Sequence, residues 1–438
     1  MNILSVDFGT SSVKMAILNK NLEVLATTKF EYNYEVIEKF KIQLDAETIF
    51  KAFLEGLKSF ENYLKKIDVL VFCVFSPCLI AMDKEGRPLY PAIIHLDRRS
   101  YPQSKYAIKV VGKNNFLKIN GNLPFPGGIS CTSILWIKDN CEDIYKKTYK
   151  FGHLNTFIHR CLVGKWIIDP SNASFTGLYE TLKLNGTWSD DICNALGIDT
   201  NKLPDVVPSL SIAGKLSKEA ASLTGLREGI PVAVGANDTT SAAYGAGAVE
   251  KGDILNISGS SEIVTITTDD PKPHEKYYVR VSMENGKWLY LAITVGGFAL
   301  EWFRKEFYKE MDKKYFYEVY LPEVLKKNIK TDVKFKPYLA GDRHSLAKKK
   351  GAFTGLTFDT TREDFLIGLL IGTYEPVFNA INICKKQMKL NTTIYWTGGM
   401  ISDAYLEFKK RIFKGFNFDM KKDCTIIGNG KVALKLLC

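Results

Sequence analysis

Two stretches of this 438-residue chain carry residue types able to do chemistry. The first, Ile3-Leu-Ser-Val-Asp-Phe-Gly-Thr-Ser-Ser-Val-Lys, places the carboxylate Asp7 at the end of an apolar run, followed by Gly9, Thr10, Ser11 and Ser12. Glycine opens backbone angles closed to other residues, and the hydroxyls stand beside exposed N–H groups. A turn of this kind between two strands can cradle an oxyanion, with Lys14 as a point charge. The second stretch, Pro231-Val-Ala-Val-Gly-Ala-Asn-Asp-Thr-Thr-Ser, sets Asp238 after an apolar strand and past Gly235, where its carboxylate would project from the strand end. Asp before Thr-Thr-Ser-Ala-Ala also suits a helix N-cap.

A third stretch, Asp253-Ile-Leu-Asn-Ile-Ser-Gly-Ser-Ser-Glu-Ile-Val-Thr-Ile-Thr, repeats the plan of the first: an apolar strand, the turn Gly259-Ser260-Ser261 and an apolar return strand. One such turn is an ordinary hairpin. Two, one opening each half, point to duplicated domains that face each other across a cleft, each holding part of a polyphosphate. Phosphates bound from both sides imply nucleotide chemistry.

The surrounding pattern supplies the elements that must position these groups. It predicts strands over 3–6 and 13–18, an amphipathic helix over 46–64, a buried strand over 69–75, a loop-rich region from 90 to 128 and a helical stretch from Thr132. Loops continue through Asp169-Pro-Ser-Asn-Ala-Ser, and a strand over 232–234 leads to Gly235 and Asp238. Beyond it come a helix after Gly296-Gly297, a longer helix from Arg362 to about Lys386, a strand over 393–396 and the turn Gly398-Gly399. With no low-complexity or Pro-rich linker, the domains are expected to join by short crossings at a hinge.

Composition sets outer bounds. The length exceeds one ordinary core and fits two domains of roughly 200 residues. No uninterrupted apolar run reaches the ~18 residues that span a bilayer, and the first residues lack the basic and apolar regions of a signal peptide, so a cytoplasmic protein is expected. The nine cysteines are odd in number with no Cys-x-x-Cys pair, which argues for buried free thiols and against disulfides or zinc. His153 and His159 could share a helical face but lack a third metal ligand. The net charge of +11 is spread along the chain, and the one tight run, Lys348-Lys-Lys before Gly351, has no nucleic-acid motif beside it. A positive field can still gather anionic substrates.

The paired hairpins resemble the actin, Hsp70 and sugar kinase superfamily, and further stretches are similar to its FGGY carbohydrate kinase branch. The segment from Ala81-Met-Asp-Lys-Glu-Gly to His95-Leu-Asp-Arg-Arg resembles the family's run from an Asp-x-x-Gly turn to Trp-x-Asp-x-Arg; Asp97 and Arg99 match, and His95 replaces Trp. Phe335-Lys-Pro-Tyr-Leu-Ala-Gly-Asp-Arg with Gly351-Ala-Phe-Thr-Gly-Leu is similar to its second signature region, and Trp396-Thr-Gly-Gly-Met to its adenine-side turn. The matches run from Asp7 to about Val432, nearly the whole chain.

The resemblance implies an α/β fold of two duplicated ribonuclease H-like (actin-like ATPase) domains with a cleft between them. Residues 1–240 would form the sugar and phosphate side and 241–438 the nucleotide side. It implies ATP-dependent phosphorylation of a hydroxyl of a small sugar or polyol, a ketose such as xylulose or a relative of it. Asp238 would be the general base, and Asp7 with Asp238 would hold Mg²⁺, largely through water. Gly9, Thr10, Ser11 and Lys14 would face the transferred phosphate, Gly259, Ser260, Ser261 and Gly297 would close from the other side, and Gly398, Gly399 and Met400 would lie along the adenosine. Phe75, Ser76, Pro77, Asp97, Asn122 and Asp238 would meet the substrate.

Departures from the family fall on the sugar side. Xylulokinases carry Gln-Met-His where this chain has Phe75-Ser76-Pro77-Cys78, the Arg-Glu of glycerol kinases is missing, and the Lys usual before Leu-x-Trp is Ser133. Gly121-Asn-Leu-Pro-Phe-Pro-Gly does resemble the xylulokinase loop. Lost hydrogen bonds to hydroxyls should shift specificity. Two alternatives keep the fold: a catalytically inactive sugar-binding regulator, and a nucleotide-driven interaction protein. The expected partner is a small-molecule substrate, with no nucleic acid and no membrane; a homodimer is compatible with all of this.

Overall fold

Apolar side chains at four of the first strand's positions make β1 (Ile3–Phe8) a core element, and Gly9 turns the chain back into β2 (Ser12–Leu18), which pairs antiparallel with it. The computed structural model describes residues 1–438 apart from 39, 40, 340, 343, 348 and 401, so Ala340 and Arg343 of the second signature region and Lys348 of the basic run lie outside the described residues. Strand β3 (Val24–Glu31) pairs with β2. Helix α1 (Ala46–Lys58), capped by Asp45, lays Ile49, Phe53 and Leu57 into the first core. It ends at Ser59, and Glu61–Leu64 is a separate turn, so the single helix expected over 46–64 is broken.

Strand β4 (Val69–Val74) is buried at every residue and runs parallel to β1, and β5 (Pro231–Ala233) runs parallel to β4. A wholly apolar strand belongs in the parallel part of a sheet covered on both faces. The region 90–128 is not loop-rich: it holds strand Ala92–Ile94 and helices Tyr101–Val111 and Lys113–Ile119. Pro102 sits in a first helical turn, where its missing N–H has no intrahelical acceptor.

Helix α2 (Asp238–Ala246) leads into the second half. This half contains β6 (Ile254–Ser258), β7 (Ser261–Thr268), β8 (Tyr278–Val281), β9 (Trp288–Val295), α3 (Gly297–Phe307), β10 (Thr393–Thr397), β11 (Asn417–Met420) and α4 (Cys424–Leu437). Its sheet runs β8-β9-β7-β6-β10-β11, antiparallel through β9-β7-β6 and parallel through β6-β10-β11. The first sheet runs β3-β2-β1-β4-β5 and on to an antiparallel edge strand, Ile212–Lys215, with the same switch from antiparallel to parallel at β1. The ribonuclease H-like arrangement thus occurs twice, as the duplicated hairpins predicted.

The long helix expected over 362–386 is two helices, Arg362–Thr373 and Glu375–Gln387, joined at Tyr374, with Pro376 in the second one's first turn. Together they are long and apolar enough to cross a bilayer by length and composition. Leu366, Leu369, Leu370, Val377 and Ile381 are instead packed in the second core with Phe303 and Trp396. Helix α4 returns to the first half: Ser5 Oγ donates to Ile426 O at 3.0 Å and Asn429 Nδ2 to Val6 O at 3.0 Å. It crosses α2 backbone to backbone, since a Cβ on Gly428 would stand 2.0 Å from Ser241 O.

Candidate active site

Strand register assembles the first half of the site. Asp7 lies beside Cys73 on β4, and Cys73 lies beside Ala236 on the short strand Ala236–Asn237. Three parallel strands therefore end together, and Asp7 and Asp238 stand at their carboxyl ends, the edge of an open α/β sheet where ligands bind. Gly235 makes this approach possible: its φ is +67° and a Cβ would lie 2.1 Å from Phe72 O.

The N-cap of α2 is Asn237 and not Asp238, because Asn237 Oδ1 accepts from Thr240 N–H at 2.9 Å. Relieved of capping, Asp238 Oδ1 accepts from Thr239 N–H at 2.6 Å and from Asn237 Nδ2 at 3.4 Å. Burial raises the Asp238 carboxyl to about 7; the negative field of Asp7 adds to this and Arg280 opposes it. Burial also raises Asp7, against hydrogen bonds from Thr425 and Cys73 and the charge of Lys14.

Asp7 is held by elements far away in sequence. Thr425 Oγ1, at the start of α4, donates to its Oδ2 at 2.8 Å, and Cys73 Sγ lies 3.5 Å from its Oδ1. Lys14 Nζ pairs with Asp423 at the same helix end. From the second half, β8 delivers Arg280, a buried side chain whose Nη1 donates to Thr239 Oγ1 at 2.6 Å and whose guanidinium lies 4.0 Å from the Phe175 ring centroid. Burial pulls Arg280 down to about 10, opposed by the charges of Asp238 and Asp169. Sequence reasoning missed Arg280, Thr425 and Asp423. No local motif marks them.

The residues expected on the nucleotide side, Gly259 to Ser261, Gly297 and Gly398 to Met400, form one backbone surface. Gly259 N–H donates to Ser261 O at 3.0 Å, closing the second hairpin. Gly297 N–H donates to Gly259 O at 2.8 Å, Phe298 N–H to Ser260 O at 3.0 Å and Met400 N–H to Ser258 O at 3.2 Å. Gly398 has φ +119°, and its Cβ would lie 2.2 Å from Ser258 O, whereas a Cβ on Gly399 would meet nothing within 4 Å. Glycines packed behind and open in front leave a cradle that side chains would fill, and it suits phosphates and a flat base. The opposite tip is open too, with Ser11 exposed and Gly9 and Thr10 partly so.

Mg²⁺ fits the donor set. Asp7 and Asp238 offer hard carboxylate oxygens, and among the described residues no group of three or more His, Cys, Asp or Glu side chains gathers into a metal cage. An ion that keeps most of its water needs no more than that.

Of the residues expected to meet the substrate, Phe75 and Pro77 are buried and Ser76 is partly exposed. The Phe75 ring lies 5.9 Å from that of His95, and Ser76 Oγ lies 3.5 Å from His153 Nδ1. His153 Nε2 is 2.7 Å from Ser130 Oγ, His159 Nε2 is 3.1 Å from Val234 O, and burial pulls both imidazoles down to about 4. Asp97 is enclosed: it accepts from Arg99 Nε at 2.8 Å, Arg99 N–H at 2.7 Å and Ile42 N–H at 2.6 Å. Asn122 is also enclosed and stitches β8 to the first half, accepting from Val279 N–H at 2.7 Å and donating to Val279 O at 2.8 Å. Both residues thus have their polar atoms engaged by the protein itself. Six of the cysteines are buried free thiols as expected, whereas Cys141 and Cys161 are partly exposed and Cys438 is exposed.

Comparison with known proteins places this architecture. Residues 2–245 match the model of the FGGY family of carbohydrate kinases, N-terminal domain. The chain is 25% identical over 420 residues to the xylulose kinase of Staphylococcus xylosus, covering 94% of this chain and 86% of that one. It is 26% identical over 430 residues to the gluconokinase of Bacillus subtilis, covering 94% and 83%. The fold is shared with the gluconate kinase of Lactobacillus acidophilus, at a TM-score of 0.89 and 20% identity over 100% of this chain and 89% of that one. With its matched first half, duplicated actin-like sheets and relatives that are kinases, the chain belongs to the FGGY family of carbohydrate kinases and is an ATP-dependent sugar kinase.

Proposed function

We propose that the protein transfers the γ-phosphoryl group of Mg-ATP to a hydroxyl of a small sugar or polyol bound between the halves 1–240 and 241–438, with Asp238 as general base. The observation that carries this reading is the Asp238 carboxylate itself: it stands at the strand ends, Asn237 has taken over the capping, and its pKa of about 7 is matched to proton transfer near neutral pH. The attacking hydroxyl gives its proton to Asp238 as its oxygen bonds to phosphorus and the bond to ADP breaks. Gly9, Thr10, Ser11 and Lys14 face the transferred group, Gly259, Ser260, Ser261 and Gly297 the rest of the polyphosphate, and Gly398, Gly399 and Met400 the adenosine. Mg²⁺ held near Asp7 and Asp238 neutralises phosphate charge.

Phe75, Ser76 and Pro77 form the floor of the sugar pocket, and Asp97 and Asn122 shape its walls through the segments they fix. A hydroxyl left unpaired against Phe75 costs roughly 1–3 kcal/mol, or about ten- to a hundredfold in selectivity. D-xylulose is therefore predicted to be a poor substrate beside a sugar, deoxysugar, polyol or aldonate with fewer or differently oriented hydroxyls at the buried end. ADP release measured over a panel of ketoses, polyols and aldonates tests both parts. Absence of any sugar-dependent release would remove the kinase reading, and a D-xylulose kcat/KM at least equal to every other compound would remove the specificity reading.

A further inference from the structure

A buried ion pair lies behind the second hairpin. Lys409, on the helix Asp403–Ile412, is wholly enclosed; its Nζ donates to Ser258 Oγ at 2.7 Å, to Glu262 Oε1 at 3.1 Å and to Asn256 Oδ1. Glu262 Oε1 also accepts from Asn256 Nδ2 at 2.7 Å and from Ser258 Oγ at 3.0 Å. Ser258 Oγ in turn accepts from Trp396 Nε1 at 2.9 Å. The ammonium sits 4.7 Å from the Trp396 ring centroid and 5.0 Å from that of Tyr374, close enough for cation–π attraction.

Taking both charges out of water is unfavourable, and a well-packed apolar core of the same volume would be at least as stable. Placement supplies the reason for the pair. Ser258 and Glu262 are the residues on either side of the turn Gly259–Ser261, and Trp396 lies two residues before Gly398. The Ser258 carbonyl accepts from Met400 N–H and is the atom against which Gly398 is pressed. A single ammonium therefore gathers the roots of both turns.

We propose that Lys409 and Glu262 are positioning residues that hold the Gly259–Ser261 hairpin and the Gly398–Met400 turn in register for the nucleotide. This rests on the reading that these two turns bind ATP. Asp7 lies on β1, Asp238 opens α2 just after the strand Ala236–Asn237, and Phe75 to Pro77 directly follow β4, so all of them stand at strand ends of the other sheet and the effect of losing the pair is confined to the nucleotide.

The test combines three variants, assayed for KM of ATP, KM of the best sugar of the panel, ADP affinity by calorimetry and melting temperature. Lys409→Met should raise KM for ATP and weaken ADP binding by about tenfold or more, since a misplacement of roughly 1 Å can cost on the order of 10²-fold, while KM for the sugar stays within twofold. Because that variant leaves Glu262 buried without its partner, Lys409→Met with Glu262→Gln removes both charges; it should recover the melting temperature while nucleotide affinity stays reduced. Gly399→Val places a side chain only in the open space before the turn and tests the nucleotide reading independently. Unchanged ADP affinity in Gly399→Val would overturn that reading. Weakened binding there, together with normal ADP affinity in the double variant or in Lys409→Met, would leave the nucleotide site standing and overturn the positioning role.

Discussion

Replacing Asp238 by Asn is predicted to cut activity sharply and stabilise the fold at the same time. The carboxyl is raised from 3.8 to about 7 in the folded protein, chiefly by burial. Each unit corresponds to about 1.4 kcal/mol, so the ionised group opposes folding by at most ~4 kcal/mol. Asp238 is partly exposed, and solvent screening brings the expected effect to about 1–2 kcal/mol. The sign follows from proton binding: between pH 3.8 and about 7 the folded state holds the proton more tightly than the unfolded chain, so stability is lost as pH rises through that window and the loss is complete above it. Asn carries no charge and escapes it. Melting curves recorded without Mg²⁺ should show Asp238→Asn a few degrees above the wild type at pH 8, with the gap shrinking as pH falls toward 4. Sugar-dependent turnover should drop by at least ~10²-fold, and wild-type turnover should itself fall as pH drops below about 7. A variant that melts with the wild type at pH 8, or that turns over normally, would refute the reasoning from burial or from the base, respectively.

Gly398→Ala forces a side chain at φ +119° to within 2.2 Å of Ser258 O, so ADP affinity should fall at least tenfold; unchanged calorimetric affinity contradicts the packing described. Asn122→Ala leaves Val279 N–H and C=O unpaired, which should lower stability by about 1–3 kcal/mol while ADP affinity is retained, and an unaltered melting temperature counts against Asn122 as the stitch between halves. An unreactive ATP analogue and sugar together should protect the protein from protease more than either alone, as expected of a closing cleft; identical digestion patterns contradict closure.

The hairpins were legible because their signal is local: strand, glycine, hydroxyls, strand. Asp238 was legible for the same reason, although its capping role went to Asn237, since two adjacent residues both suit an N-cap and only the backbone decides between them. The helices expected over 46–64 and 362–386 were misread because a break of one or two residues, at Ser59–Phe60 and at Tyr374, divides each, and 90–128 was read as loop-rich although it holds two helices, the first with Pro102 in its first turn. Arg280, Thr425, Asp423 and Lys409 could not be read at all. Arg280 acts on a residue 41 positions away and Thr425 on one 418 positions away; a lone Thr or Lys in a helix reads as surface until the fold brings it against its partner, and Asp423, which stays half-exposed, is marked only by its pairing with Lys14.

The placement of α4 bears on how the protein is made. The hydroxyl that holds Asp7, on Thr425, is translated 418 residues after it. At ~5–20 residues per second, that is an interval of roughly 20–80 s. Throughout it the nascent first sheet lacks the helix that covers Ser5 and Val6, and a polar strand end waits for its partner. A truncation before Cys424 would therefore take away the hydroxyl that holds Asp7 and reach the candidate site as directly as a missense change at Asp7. The codons for 424–437, and the speed at which ribosomes reach them, thus become part of the candidate site's assembly.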